Sequence, residues 1–201
     1  MTIRIPCDTI ARLAHLLPSE PSDDPMQCFR LDNGKVITTN RQFMAVELVE
    51  PFDGVHYIRA EQAMIEQCRT EAQWSGVIQF TPVEQMRWTT AVTMMGWKCS
   101  DNLGLWPTEP TDFDLWHERI VQPVCEPLTE TKGPMVFDAD GLALLARCSP
   151  SGKVVMEQFI DPRDRPTVVR DIDTADWTGF FNARITDGRA HDGAVVPGWL
   201  R

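Results

Sequence analysis

With 201 residues and 43% hydrophobic content, the chain has length and apolar mass for one large domain or two small ones around a real core, which excludes a disordered polypeptide. The formal net charge of -10 argues against a general nucleic-acid coat, since nonspecific binding draws on cations that displace phosphate counterions, yet it leaves room for a local basic surface. No run approaches the roughly 18 apolar residues of a membrane span, and the opening Met-Thr-Ile-Arg-Ile-Pro lacks the regions of a secretion signal, so a cytoplasmic protein without a membrane partner is expected.

In chain order, residues 2–6 read as a strand, and Ile10, Leu13, Ala14 and Leu17 then fall on one helical face, with Asp8 in the first turn where the helix dipole favours an anion. Pro18 and Pro21 end that helix. Strands are predicted at 26–31 and 35–39 around Asp32-Asn33-Gly34, because Asn-Gly tolerates the positive φ that a tight hairpin needs. An apolar strand at 43–49 completes this first unit.

A second unit repeats the order. Residues 55–58 predict a strand and 60–72 a helix with Met64, Ile65, Cys68 and Ala72 as its apolar stripe. Strands at 76–81 and 86–95 follow, placed around a turn at Pro82, and the unit runs out through Leu105-Trp106-Pro107. Residues 108–132, rich in proline and acid, read as a linker with one strand at 119–124. The third unit opens with a strand at 135–137, then a helix carrying Leu142, Leu145 and Ala146 that Ser149-Pro150-Ser151-Gly152 terminates. Strands at 154–160, 167–170 and 177–185 close it. The predicted organisation is thus two units in 1–107, a linker at 108–132, a third unit at 133–186 and a tail at 187–201.

This order of elements resembles the DNA sliding clamps, especially the bacterial β-clamp type. The best local match is the second unit: Val55-His56-Tyr57-Ile58, the helix through Glu61 to Cys68, the hairpins to Lys98 and the exit Leu105-Trp106-Pro107 before Asp112-Phe113-Asp114-Leu115-Trp116. Gly179-Phe180-Phe181-Asn182-Ala183-Arg184-Ile185 stands where a β-clamp chain ends in a hydrophobic stretch. The resemblance implies an α+β fold of repeated βαβββ units, with antiparallel sheets and short helices on one face. It also implies a non-enzymatic scaffold in DNA replication or repair, with protein partners from the DNA-handling machinery and with duplex DNA and a homo-oligomer as further partners. Such clamps close rings of about twelve units, so three units per chain would require roughly four copies.

On the matching helices the DNA-contact candidates are Arg12, His15, Arg69 and Arg147, with Lys153 nearby, although Glu61, Glu66 and Glu71 face Arg69 in the second unit. The partner-binding candidates are Phe180, Phe181, Ala183 and Ile185, joined by Trp199 and Leu200. The stretch 195–200 is apolar within a polar, glycine-rich tail, and is expected to pack in a groove of its own chain, of a second copy or of a partner. The other six tryptophans are expected to serve as core or domain packing.

Chemistry-bearing residues form no convincing constellation. The cysteines, Cys7, Cys28, Cys68, Cys99, Cys125 and Cys148, stand singly without histidine at ligand spacing, so they are read as structural thiols and no metal or cofactor is predicted. Asp171-Ile172-Asp173-Thr174 reads as a polar turn before a strand, and Asp138-Ala139-Asp140-Gly141 as a helix start. Asp112, Asp114, His117 and Glu118 carry the rival reading of a small hydrolase. A further rival keeps the clamp fold but makes the acidic surface a decoy for a host DNA-handling protein.

Overall fold

The computed structural model describes residues 2–17, 27–40, 42–84, 87–94, 97–105, 139–157 and 167–181; for 82–84, 87–94, 97–105 and 157 it describes the backbone. The predicted linker strand at 119–124, the strand at 135–137, the Asp112 to Glu118 cluster, Trp106, Trp116, Cys125 and the whole tail lie outside the described residues.

The first unit comprises β1 (Ile3–Pro6), α1 (Cys7–Leu13), a 3-10 turn (Ala14–Leu16), β2 (Cys28–Asp32), β3 (Lys35–Thr39) and β4 (Phe43–Leu48). Asn33 (φ 47°) and Gly34 (φ 81°) both take positive φ, the backbone that turns β2 into β3 with the twist of the flanking strands. The second unit comprises β5 (Val55–Arg59), α2 (Gln62–Ala72), β6 (Val77–Glu84), β7 (Arg87–Met94) and β8 (Trp97–Leu105). Pro82 is not a turn. It lies inside β6, where the pairing with β7 becomes irregular between Pro82 and Glu84, consistent with a residue that cannot donate to a ladder. Residues 97–105, read from sequence as the end of a hairpin and an exit, form a full strand on β7. The third unit supplies α3 (Ala139–Cys148), β9 (Val154–Glu157), β10 (Thr167–Asp171) and β11 (Trp177–Phe181).

Units one and two do not close on themselves. The first strand of each joins the sheet of the other: β1 pairs with β6, so that Ile3 faces Phe80, and β5 pairs with β2, so that Phe29 faces Ile58. The third unit then extends the first, because β11 runs antiparallel to β4 with Phe181 opposite Phe43 and Trp177 opposite Glu47. The result is a four-stranded sheet in the order β1-β6-β7-β8 and a seven-stranded sheet in the order β5-β2-β3-β4-β11-β10-β9.

The three helices share one core: α1 packs on β3 and α3 on β4 of the seven-stranded sheet, whereas α2 packs on α1 and on β6 and β7 of the four-stranded sheet. Strand alternation sends Phe29, Leu31, Val36, Phe43, Ala45, Val169, Trp177 and Phe181 toward Cys7, Ile10 and Leu13 of α1, Met64, Ile65 and Cys68 of α2, and Leu145 and Cys148 of α3. The Phe43 and Phe181 rings meet across the β4–β11 junction at 5.8 Å between centroids. The buried stripe of α3 is Gly141, Leu145 and Cys148, rotated from the predicted Leu142, Leu145 and Ala146, because the Phe43 ring occupies the space beside Gly141 where any Cβ would overlap it. Gly179 similarly admits Leu145 of α3 and the Trp177 ring, both within 3.0 Å of where its Cβ would stand.

Of the tryptophans assigned to the core, Trp177 is 1% exposed, whereas Trp74 is 51% exposed and corrects that expectation. Trp74 stands in the turn that leaves α2, beyond the stripe of Met64, Ile65 and Cys68, so the helix period gives it no core to reach. The four cysteines with described side chains, Cys7, Cys28, Cys68 and Cys148, are buried and form no disulfide, as expected of structural thiols. Burial pushes the Cys148 thiol up to about 12, and the Cys68 thiol, sharing a hydrogen bond with Cys7 in the dry contact between α1 and α2, is raised further.

Candidate nucleic-acid interface

Each helix ends in a basic residue, where a cation complements the exposed carbonyls and the negative end of the dipole: His15 in the 3-10 turn after α1, Arg69 in the last turn of α2 and Arg147 in the last turn of α3. The helix of the third unit packs against the 3-10 turn that carries His15, and α1 packs against α2. Partial desolvation lowers the His15 pKa from its usual 6.5, and the positive charges of Arg69 and Arg147, each within electrostatic reach of His15, lower it further. All three residues are exposed. Arg69 also donates to Glu66 at 2.6 Å, an exposed i,i+3 pair of the kind that contributes at most about 1 kcal/mol and exchanges readily for another anion.

The remaining two DNA-contact candidates stand apart. Arg12 turns inward, where its Nη2 donates to Glu47 Oε1 at 2.6 Å and its Nη1 pairs with Asp8. Thr9 donates to the same Glu47 oxygen at 2.7 Å, so α1 is fastened to β4 through one buried carboxylate. Glu47 has a second oxygen, Oε2, which together with Arg12 Nε and Trp177 Nε1 is buried without a protein partner. Lys153 is exposed in the loop after α3, its backbone carbonyl accepting from Ile172.

Of the partner-binding candidates, Phe180 and Phe181 point to opposite faces of the sheet. Phe181 belongs to the helix-side core, and Phe180 joins a second apolar cluster with Cys28, Ile37, Met44 and Val168 on the far face. Ala183, Ile185, Trp199 and Leu200 lie outside the described residues.

The Asp171 turn behaves as read. Although burial pushes its carboxyl up, hydrogen bonds from Ser149 Oγ (2.5 Å), the Ser151 amide (2.8 Å), the Asp173 amide (2.8 Å) and Ser151 Oγ (2.9 Å) hold it well below the usual carboxylate range. With its oxygens so engaged, this side chain fastens the end of α3 to the end of β10. Among the described residues no group of three or more His, Cys, Asp and Glu side chains converges as a metal ion would require, and no helix is long and apolar enough to cross a membrane.

Antiparallel sheets continuous between repeated units, strand exchange within a pair of units and helices packed into one shared core form a recognisable architecture. A DNA polymerase III beta subunit from Borrelia burgdorferi superposes with a TM-score of 0.58 at 9% identity over 93% of this chain. A DNA polymerase sliding clamp from Pseudomonas aeruginosa superposes with a TM-score of 0.56 at 8% identity over 92%. The chain has the sliding-clamp fold. It spans 65% of the Borrelia chain and 67% of the Pseudomonas clamp. No family model and no curated protein sequence matches it.

What the residue pattern did not reveal is which of the basic positions would come within reach of His15. His15, Arg69 and Arg147 are 54 and 78 residues apart in sequence, and only the pairing of β4 with β11 brings the third unit's helix beside the first. Glu47 was missed altogether, since it sits at an alternate position of an apolar strand; its signal was the inward parity it shares with Phe43 and Ala45.

Proposed function

We propose that the protein is a non-enzymatic, clamp-like scaffold in DNA replication or repair, which holds partner proteins at duplex DNA. The observation that supports this reading is that exposed His15 lies within electrostatic reach of both Arg69 and Arg147, one residue from each unit, where α1 packs on α2 and the 3-10 turn on α3 in a sliding-clamp fold. Phosphate binding needs cations at an exposed surface more than it needs a positive molecule, and an acidic remainder keeps the chain off DNA except along that face. Arg12 contributes indirectly, fixing α1 to β4 so that His15 is presented. Protein partners dock near the end of β11, where Phe180 and Phe181, both buried, shape the sheet beneath the contact rather than form it; the other candidates, Ala183, Ile185, Trp199 and Leu200, lie outside the described residues.

A clamp that encircles DNA requires several copies of this chain. The test combines mass by light scattering with retention on nicked circular DNA before and after linearisation. A closed oligomer that stays on circles and runs off linear ends is the expected outcome, and a monomer that ignores both forms overturns the reading. The net charge of -10 favours a second reading, in which the same fold is a decoy for a DNA-handling protein. That reading predicts a monomer or dimer that competes with DNA for such a protein and never binds DNA itself.

A further inference from the structure

The joint between the first and third units buries polar groups that the protein does not pair by itself. Glu47 of β4 stands directly opposite Trp177 of β11. Both side chains point to the helix side, Glu47 by the alternation it shares with Phe43 and Ala45 and Trp177 as a member of that core. Arg12 reaches the same carboxylate from α1, its Nη2 donating to Glu47 Oε1 at 2.6 Å, and Thr9 donates to that oxygen as well. The last turn of α3 packs here too: the Cys148 thiol feels the charges of both Arg12 and Glu47, and Leu145 meets the Trp177 ring above Gly179. In this enclosure Glu47 Oε2, Arg12 Nε and Trp177 Nε1 are shut off from solvent and have no hydrogen-bond partner within the protein.

We infer that these three atoms bind one internal water molecule, which joins the first unit to the third. Buried polar groups left unpaired are costly, and native proteins satisfy them with ordered water where side chains cannot. The donor and acceptor inventory fits water. Its two lone pairs accept from Arg12 Nε–H and Trp177 Nε1–H, and one of its hydrogens goes to Glu47 Oε2, about the three bonds that an internal water usually makes. An ion fits worse: the Glu47–Arg12 pair is neutral as a whole, so a cation would face the guanidinium and an anion the carboxylate. The surrounding Phe43, Ala45, Leu145 and Val169 are apolar and buried, which keeps bulk solvent from competing for the same three atoms. The inference stands apart from the clamp reading, since it rests on the joint alone. It adds a reason for the register of that joint. A slip of the β4–β11 ladder by one residue would turn Trp177 to the far face and take one donor from the water, so the site selects the observed pairing over its nearest alternatives.

Two measurements on the full chain test this. Nitrogen-15 labelling displays the indole N–H groups of the seven tryptophans, and the Trp177 signal is identified by its loss in Trp177→Phe. Magnetisation transfer from water is then recorded in the laboratory and rotating frames. The expected result at the Trp177 indole is transfer of opposite sign in the two frames, which marks water held inside the protein. Trp74, 51% exposed, is the internal control, where water only passes over the surface and the signs agree. Absence of held water at Trp177 overturns the proposal. A crystal structure is the second measurement. A water oxygen within hydrogen-bond distance of Glu47 Oε2, Arg12 Nε and Trp177 Nε1 supports the site, and an indole bonded directly to Glu47, or no water at these atoms, overturns it. In Glu47→Leu the held-water signal at Trp177 should be lost, and its persistence in the folded variant also overturns the proposal. If Glu47→Leu does not fold, the two measurements on the unaltered chain decide.

Discussion

Asp171 shows how one carboxylate can hold two elements. Its hydrogen bonds from Ser149, Ser151, Asp173 and Thr174 join the loop after α3 to the end of β10. Their charge-assisted character makes Asp171→Ala cost about 2–4 kcal/mol, read as a shift in urea midpoint at neutral pH. The folded carboxyl titrates below the unfolded value of 3.8, so its contribution is complete above that value and is lost as pH falls through the acid range beneath it. Asp171→Asn should therefore be less stable than the parent at pH 7, with the gap narrowing progressively below pH 4 or so. Gly141 makes the opposite kind of point. An exposed helical glycine gains about 1 kcal/mol on becoming alanine. Here the added methyl would meet the Phe43 ring, and Gly141→Ala is expected to lower stability by about 1–3 kcal/mol in thermal or urea denaturation.

At the scale of elements, α2 ends in a closing motif whose residues are out of their customary order. Ser75 takes the left-handed conformation (φ 55°), and Gly76, which follows it, donates its amide to Glu71 O at 2.9 Å. Glycine is the residue that usually occupies the left-handed position, so Ser75→Gly should raise the melting temperature, by an amount equivalent to about 0.5–1 kcal/mol after its greater freedom in the unfolded chain is counted. Helices α1, α2 and α3 and strands β2, β3, β4, β5, β10 and β11 were legible because their signals are local: apolar periodicity, Asn33-Gly34, and the Ser149 to Gly152 stop. Pro82 misled because a β6 irregularity accommodates it within the strand, and β8 was undercalled because Ser100, Asp101 and Asn102 look like a loop when read without their partner strand. The approach of Arg69 and Arg147 to His15 was beyond local signals, since it depends on which sheet edge accepts the third unit.

For the molecule as a whole, the proposed DNA face makes a joint prediction for charge and pH. Arg69→Glu and Arg147→Glu should each weaken DNA retention across all sequences and flatten its salt dependence by roughly one unit of log-log slope, measured by titration at several ionic strengths. Alkylation of the buried core thiols should be unaffected, because both side chains are exposed. His15 titrates below 6.5 when the face is empty, and a nearby phosphate favours the imidazolium. DNA should therefore bind more tightly as pH is lowered from 7.5 toward 6, and His15→Gln should remove that dependence while leaving binding at pH 7.5 nearly unchanged. A salt-independent affinity, or a pH profile untouched by His15→Gln, would count against the assigned surface.

The exchange of first strands between units one and two bears on how the protein is made. A ribosome releases Ile3 long before Phe80, the residue that β1 must find, and β4 waits for β11 until Phe181 has emerged. β1 therefore waits for β6, and one edge of β4 stays open until nearly the end of synthesis; unsatisfied strand edges are a hazard for association between chains. Separating the first unit from the second by cutting between β4 and β5 leaves each half with a leading strand whose partner lies in the other half, so complementation by two co-expressed fragments, rather than folding of either alone, is the behaviour this wiring dictates.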